Sequence, residues 1–284
     1  MKLLEQKIEE FNLGREPKFK GDIKQSTLYL VHSLDAKQLN ESIKAFKKLS
    51  EFKSVKTCHI DKLDDLLKLD KDSVMIYTTH LSLDKEIDLH KQISNWAFGH
   101  NVFQLNPYNK IAKIFDDKYL FYVLMVANEI KQAFTVSLMK KDAVLLGEER
   151  DKLDSFDKLI VKPRHGTEKI DFAMMESRKF ELDNPAVKKI RRYDDCLVQE
   201  CLEIDLEFKV LYFYGKFYFP KKIKEDVKEL LNDFLDVIES FGAKNEIIVP
   251  QIFTVDIVKS GDRYTILEAN IRPAAVYNFQ DTQV

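Results

Sequence analysis

The apolar residues of the first third of the chain alternate between two spacings. Short β-rich runs, such as TLYLVHS at residues 27–33, are followed by stretches in which apolar residues recur at helical spacing. The predicted strands cover residues 27–33, 53–60, 73–79 and 102–105, and the predicted helices cover residues 35–49, 62–69 and 85–99. Strands that alternate with helices are typical of a parallel sheet, so residues 1–105 are predicted to form a small α/β domain.

The Asn106-Pro107 dipeptide marks a boundary, and the pattern beyond it predicts a mixture of helices, strands and hairpins. The predicted helices cover residues 109–131, with an interruption near 116–118, and residues 142–153, 184–192 and 223–241. The predicted strands cover residues 134–138, 159–162, 170–175 and 196–202, with a hairpin at 206–219. The last helix is predicted to end before Gly242. This part of the chain is therefore predicted to be α+β.

A closing hairpin at residues 251–273 carries three polar side chains of one chemical kind. Its two β-rich runs flank a Ser260-Gly261-Asp262 turn. Glu268 and Asn270 lie on one side of their strand, and a three-residue loop would bring Asp256 diagonally across from them. Carboxylate and amide oxygens are ligands that Mg²⁺ prefers. The alternative interpretation is a hairpin with an ordinary solvent-facing polar side.

Composition and charge narrow the class of protein. A length of 284 residues suits about two or three compact units. The net charge is −2 and no basic block stands out, so a nucleic-acid partner is not favoured. The most apolar run, residues 119–127, is too short for a membrane span, and the N-terminus does not resemble a signal peptide. The 3 cysteines favour reduced thiols and a cytoplasmic location.

Two lysines stand where strands or helices meet loops. Lys162 ends a predicted strand and enters a loop in which Gly166 allows main-chain N–H groups to approach a phosphate. Arg164 and His165 add donors to the same loop. Lys118 follows two acidic residues at the start of an apolar helical run. It is a weaker candidate for phosphate binding, and the alternative interpretation is that these residues are a solvated helix start.

The order of these pieces resembles the ATP-grasp superfamily, the fold of D-alanine–D-alanine ligase, glutathione synthetase and the ribosomal-protein glutamate ligases. The pieces are Asp117-Lys118, Lys162-Pro163 with its glycine loop, VQECL at 198–202, EFKV at 207–210, and Asp256 followed by EANIRP at 268–273. The resemblance covers residues 106–276. It implies an N-terminal α/β domain at 1–105, a central ATP-grasp subdomain at 106–196 and a C-terminal subdomain with the metal site at 197–284.

The resemblance also implies roles in nucleotide binding. Lys118 and Lys162 would contact the ATP phosphates, beneath a loop that contains His165 and Gly166. Glu207, or Glu203 as the alternative, would accept from the ribose hydroxyls. The adenine would meet the side chain of Gln199 and the main chain of the segment formed by Glu200, Cys201 and Leu202.

The remaining implied roles concern the metal and the transferred group. Asp256, Glu268 and Asn270 would hold one or two Mg²⁺ ions, with Mn²⁺ as the alternative. Arg272 would hold the γ-phosphate or the acceptor carboxylate, and Lys209 would help to neutralise the phosphates. These two residues are the candidate catalytic side chains.

The function implied is an ADP-forming ligase that activates a carboxylate of an amino acid, a peptide or another small molecule as an acyl phosphate and joins it to an amine. A kinase acting on a hydroxyl and a non-catalytic nucleotide-binding scaffold are the alternatives. The resemblance further suggests a homodimer. The sequence departs from the pattern in its glycine-poor loop after Lys162, in Thr254, where several ligases carry an arginine, and in the short segment after Phe219, where Lys221 or Lys222 would substitute for another.

Overall fold

The protein is described by a computed structural model that covers part of the chain. The described residues are 23–32, 36–49, 52–60, 73–78, 83–100, 102–139, 144–165, 172–192, 195–219 and 225–272. The predicted helix at 62–69, Gly166, Lys221 and Lys222 lie outside these ranges. Contacts divide the chain into two compact units. The first unit comprises residues 1–113, 208–256 and 269–284, and the second comprises residues 114–207 and 257–268. The three-part division expected from the resemblance remains a prediction.

The first part of the chain forms the parallel sheet that its apolar pattern predicts. Its elements are β1 (Thr27–His32), α1 (Ala36–Leu49), β2 (Ser54–His59), β3 (Ser73–Thr78), α2 (Leu83–Gly99) and β4 (Phe103–Gln104). The strand order is β2-β1-β3-β4, with parallel pairing throughout. Because β1 is central and has helices in its connections, Leu28, Leu30 and Val31 are fully buried.

Two helices follow, α3 (Lys110–Asp116) and α4 (Lys118–Ala127), separated at Asp117. This break confirms the predicted interruption and has a clear cause. The Asp117 carboxylate accepts hydrogen bonds from the main-chain N–H groups of Tyr119 and Leu120, which makes it the N-cap of α4.

The second unit is built on an antiparallel sheet. Its further elements are β5 (Thr135–Leu138), α5 (Gly147–Asp154), β6 (Lys158–Pro163), β7 (Ala173–Glu176), α6 (Pro185–Arg191) and β8 (Cys196–Glu200). The strand order is β5-β8-β6-β7, and all three pairings are antiparallel. The outer neighbour β7 is the predicted return strand after β6.

The last elements are β9 (Leu206–Phe213), β10 (Lys216–Tyr218), α7 (Glu225–Lys244), β11 (Ile252–Ser260) and β12 (Arg263–Asn270). The strand order of this sheet is β10-β9-β11-β12. The turn between β11 and β12 contains two residues, Gly261 and Asp262, rather than the three assumed above, and Gly261 adopts a φ of 59°. The three-residue loop was the premise for placing Asp256 diagonally across from Glu268 and Asn270, so that geometric argument is wrong, and the metal-binding role of the three residues stays a prediction.

The core of the first unit joins its parallel sheet to the later strands. Leu28 and Ile76 pack in one cluster with Leu211, Phe213 and Ile252. All five side chains are fully or almost fully buried. The main chain reinforces this packing, since the N–H of Gln251 donates to the Leu105 carbonyl, 2.6 Å away.

Helix α7 corrects one prediction, because it continues through Gly242 to Lys244. A Cβ atom at residue 242 would lie 2.9 Å from the Ile247 carbonyl oxygen and 2.9 Å from Val249 Cγ2. Glycine is thus retained inside the helix because the following segment folds back against it, and not because the helix ends there.

We expect Gly242→Ala to lower the free energy of unfolding by about 1–3 kcal/mol, the usual cost of overpacking. Gly99→Ala is the matched control, since a Cβ there meets nothing within 4 Å, and it should be neutral or slightly stabilising. Urea denaturation of both variants measures the difference. Equal stability of the two variants would contradict the close approach at Gly242.

Candidate functional site

The sheet of the second unit buries one face and leaves the other partly accessible. Leu159 and Val161 of β6 and Val198 of β8 are fully buried in a core with α5 and α6 residues. The alternate residues Ile160 and Lys162 point the other way and are half-buried. Lys162 therefore lies on the accessible face, and its predicted contact with the ATP phosphates stays a prediction.

A chain of hydrogen bonds fixes Lys162 on this face. Its Nζ donates to Gln199 Oε1 at 2.8 Å, and Gln199 Nε2 donates to Thr135 Oγ1 at 2.8 Å. The Thr135 hydroxyl in turn donates to the Ala133 carbonyl at 2.9 Å. In this series of hydrogen bonds the Gln199 amide nitrogen donates to Thr135, and its oxygen accepts from Lys162. Sequence reasoning assigned Gln199 to an adenine pocket and missed this contact with Lys162.

Two charged side chains, Lys118 and Glu268, act on the ionisation of Lys162. Burial lowers the pKa of Lys162 to about 8, and the positive charge of Lys118 lowers it further, whereas Glu268 acts in the opposite direction. A lysine whose positive form is disfavoured by burial and by a neighbouring lysine is a common feature of anion-binding sites. The structure thus brings together Lys118, Lys162 and Glu268, which are 150 residues apart along the chain at the extremes.

Asp117 and Arg164 form a partly buried ion pair, in which Asp117 precedes Lys118 and Arg164 follows Lys162 along the chain. Arg164 Nε lies 2.8 Å from Asp117 Oδ1, and Arg164 Nη2 lies 2.8 Å from Asp117 Oδ2. The guanidinium also lies 3.4 Å from Asp195 Oδ2 and over the Tyr119 ring. The pair joins the N-terminus of α4, where Lys118 is the first residue, to the segment that follows Lys162. Sequence reasoning missed this contact of Arg164 with Asp117, and the predicted part of Arg164 in binding a phosphate stays a prediction.

The protonation of Asp117 reflects these contacts. Burial opposes its ionisation, but hydrogen bonds from His165, Arg164 and the Leu120 N–H hold the pKa of the carboxyl well below its usual range. His165 Nε2 lies 3.5 Å from Asp117 Oδ2. His165 is thus drawn toward Asp117, and its predicted contact with a nucleotide remains a prediction.

Main-chain hydrogen bonds fix the end of β8 and the residue after it against neighbouring segments. The N–H of Glu200 donates to the Phe134 carbonyl, and the N–H of Cys201 donates to the Lys158 carbonyl. The Phe134 N–H donates to the carboxylate of Glu200. The predicted contacts of the adenine edge with the main chain of Glu200 and Leu202 and with Cys201 stay predictions. Glu207 lies exposed in β9.

The predicted metal ligands lie on β11 and β12. In the first unit, Asp256 pairs with Lys209, whose Nζ is 2.7 Å from Asp256 Oδ1. In the second unit, Glu268 acts on Lys162 as described above. Asn270 ends β12 and belongs to the first unit. Lys209 is thereby placed beside a predicted metal ligand, which sequence spacing alone did not indicate.

Arg272 lies in a buried polar cluster of the first unit. Its Nη1 is 3.5 Å from Nδ1 of His90, a residue of α2 that has no exposed surface. His90 Nε2 is 2.5 Å from the Asn106 carbonyl. Neither His90 nor Asn106 was predicted as a site residue, because a single histidine in a helix and an asparagine before a proline carry no signal that points to residue 272.

The side chains present suit Mg²⁺ and a polyphosphate. In the second unit, Lys118 and Lys162 supply positive charge and Glu268 a carboxylate; in the first unit, Asp256 and Asn270 also offer hard oxygen donors. Within the described ranges no group of three or more His, Cys, Asp or Glu side chains is arranged to hold a metal ion. The predicted ligands are of a different composition, since they comprise two carboxylates, Asp256 and Glu268, and the amide of Asn270.

Comparison with known proteins gives a result for structure alone. No protein-family model and no curated protein matches the chain. The crystal structure of the D-cycloserine synthetase DcsG aligns with a TM-score of 0.65 at 15% identity, over 90% of this chain and 95% of that one. The D-alanine–D-alanine ligase from Coxiella burnetii aligns with a TM-score of 0.62 at 14% identity, over 92% and 88%. N5-carboxyaminoimidazole synthetase from Staphylococcus aureus aligns with a TM-score of 0.55 at 14% identity, over 91% and 72%.

Two further findings concern the helices and the cysteines. None of the helices in the described ranges combines the length and apolar character needed to cross a bilayer. Cys58, Cys196 and Cys201 are all free thiols, and the first two are buried.

Proposed function

We propose that this chain, which has the ATP-grasp fold, is an ADP-forming ligase that joins a carboxylate to an amine. The observation that carries the proposal is the convergence of Lys162, Lys118 and Glu268, with Lys162 held by Gln199 on the accessible face of the sheet. Two lysines next to a carboxylate suit a nucleotide polyphosphate that arrives with a divalent cation.

The accessible face also suits a purine base. Directly opposed residues place Met174, Ile160, Gln199 and Thr135 in one row across the four strands. Met174 is 63% exposed at the outer end of this row, and its sulfur lies 3.9 Å from the Cys201 thiol. An exposed apolar side chain beside the main chain of Glu200 and Leu202 would supply a stacking surface for the base.

The proposed reaction needs no side-chain nucleophile. A carboxylate oxygen of the substrate attacks the γ-phosphorus of ATP, and the bond to the ADP oxygen breaks, which gives an acyl phosphate. The amine nitrogen then attacks the acyl carbon, loses a proton and displaces inorganic phosphate. Lys118 and Lys162 hold the phosphates, and Arg272 would orient the transferred phosphoryl group or the carboxylate.

Asp256, Glu268 and Asn270 would hold Mg²⁺, which would neutralise charge on the phosphates when bound. Lys209, paired with Asp256, would set the charge of this ligand group. We further propose small amino-acid or peptide substrates and a cytoplasmic location; the latter is consistent with three free thiols. A homodimer remains a prediction.

The test is ADP release from Mg·ATP with pooled carboxylates and hydroxylamine, which traps an acyl phosphate as a hydroxamate. We expect a hydroxamate from one pool, and its deconvolution would identify the acid. Glu268→Gln should lower this activity by about 10²-fold or more, because it removes one of the two carboxylates that are proposed to hold Mg²⁺. Glu148→Gln, which changes an exposed acid of α5, is the control and should leave it unchanged.

The remaining outcomes separate the alternatives. ADP release with a stable phosphorylated product and no hydroxamate would replace the ligase by a kinase. ATP binding without ADP release from any pool, including peptide pools, would count against both enzymes and favour a nucleotide-binding scaffold.

A further inference from the structure

His90 lies at the centre of a buried polar cluster that the proposed reaction does not use. It occupies α2, and its ring packs between the rings of Tyr77 and Tyr108, with centroids 5.1 and 5.4 Å away. One ring nitrogen faces the Asn106 carbonyl and the other faces Arg272. The imidazole is thus enclosed by aromatic rings and has polar partners at both of its nitrogens.

These partners determine which nitrogen carries the proton. A carbonyl oxygen only accepts, so His90 Nε2 donates to Asn106 across 2.5 Å. A guanidinium only donates, so Nδ1 carries no proton and accepts from Arg272 Nη1 across 3.5 Å. The neutral Nε2–H tautomer satisfies both contacts. Burial first, and then the charge of Arg272, lower the pKa of His90 to about 3, in agreement with a neutral ring.

Asn106 makes this arrangement rigid. Its side-chain oxygen accepts from the Tyr77 N–H at 2.9 Å, and its side-chain nitrogen donates to the carbonyls of Tyr77 at 2.8 Å and Ile271 at 3.0 Å. The end of β3 is therefore tied to the residue that immediately precedes Arg272. Gln104 adds a second donor to the Asn106 carbonyl at 3.1 Å, so the acceptor of His90 is itself fixed.

We propose that His90 is a positioning residue for Arg272: the fixed neutral imidazole accepts one N–H of the guanidinium and sets the direction in which the other donors meet an anionic group. A guanidinium recognises phosphate or carboxylate through its fork geometry, so a rotation of its plane weakens both contacts. The inference rests on the proposed function, in which Arg272 contacts the transferred phosphoryl group or the acceptor carboxylate.

Two substitutions separate the two hydrogen bonds of His90. In His90→Asn the amide oxygen can occupy the place of Nδ1 and accept from Arg272. In His90→Gln the amide nitrogen can occupy the place of Nε2 and donate to Asn106, but no acceptor faces Arg272. We expect His90→Gln to lower kcat in the hydroxamate assay by about 10-fold, with the KM for ATP nearly unchanged, and His90→Asn to retain more of the activity. A larger loss in His90→Asn would overturn the proposal, because it would indicate that only the contact with Asn106 matters.

Arg272→Gln provides the double-mutant control. If His90 acts through Arg272, His90→Gln should cause no further loss in the Arg272→Gln background. An undiminished loss there would overturn the proposal while leaving the ligase function intact. If Arg272→Gln alone leaves turnover unchanged, the role assigned to Arg272 fails, and the positioning role of His90 fails with it.

A spectroscopic measurement on the unmodified protein is independent of turnover. Long-range ¹H–¹⁵N correlation spectra should show His90 as the neutral Nε2–H tautomer throughout the range of about pH 5–8, in which an ordinary histidine titrates. Arg272→Gln should shift the Nδ1 resonance. An Nδ1–H tautomer, or an Nδ1 signal that ignores the substitution, would overturn the proposal even if no substrate has been identified.

Discussion

Asp117→Asn is expected to lower the free energy of unfolding by about 2 kcal/mol, because the ion pair with Arg164 is partly buried and such a loss falls between those of exposed and of fully buried pairs. Asparagine caps helices about as well as aspartate, so the cap of α4 is retained and only the charge opposite Arg164 is removed. The guanidinium, 20% exposed, would then lose two 2.8 Å contacts with a charged partner and retain Asp195 at 3.4 Å.

Asp117→Ala should lower the free energy of unfolding by about a further 1 kcal/mol, because it also removes the N-cap of α4. The control is Asp154→Asn, which removes the 2.9 Å pair with Arg150 on the surface of α5. An exposed pair of this kind contributes about 0–1 kcal/mol. Urea denaturation of the three variants measures these differences. If Asp117→Asn and Asp154→Asn were equally stable, the Asp117–Arg164 pair would contribute no more to stability than an exposed pair.

The pH dependence of this effect has a defined sign. Folding lowers the pKa of Asp117, so the unfolded state binds more protons in acid. The stabilisation is fully present above the unfolded pKa of about 3.9 and is lost as the pH falls toward the lower pKa of the folded state. The difference between the unmodified protein and Asp117→Asn should therefore shrink below about pH 4.

The sequence predicted the elements that have strong local signals. The alternation of β-rich runs and helical spacing predicted the parallel sheet, and the two acids before Lys118 marked the break between α3 and α4. The predicted end of α7 before Gly242 was wrong. A glycine is needed at 242 because Ile247 and Val249 approach it closely, and local spacing does not show this contact.

The contacts around the site could not be predicted from spacing. Arg164 and Asp117 are 47 residues apart, and Arg272 and His90 are 182 residues apart. The types of these residues suit several roles: an arginine in a glycine loop suits a phosphate as well as it suits an internal carboxylate. Only the fold decides between these partners, whereas Lys162 could be chosen from sequence because it stands at the end of a strand and begins a glycine loop.

Lys162→Met is expected to lower ADP-forming turnover by about 10²–10³-fold without loss of stability. The buried ammonium disfavours the folded state, since its pKa is lowered to about 8. Folding therefore releases its proton between about pH 8 and the unfolded value of about 10.4, and stability rises with pH across that window. Methionine removes the charge and the cost that it carries at neutral pH. Thermal unfolding at pH 7 should thus show a melting temperature no lower than that of the unmodified protein.

The charge on Lys162 also predicts how nucleotide binding depends on pH. Because the ammonium loses its proton as the pH rises through about 8, the affinity for ATP should weaken above that value in the unmodified protein and stay level in Lys162→Met. Lys158→Met is the matched control. Residue 158 begins the same strand and lies exposed, and it faces the same side as Lys162 because it is four positions away along the strand. Titration calorimetry with ATP across this range measures all three proteins. If Lys158→Met and Lys162→Met weakened binding equally, the buried position of Lys162 beside Lys118 and Gln199 would have no special part in holding the phosphates, and the phosphate site would have to lie elsewhere.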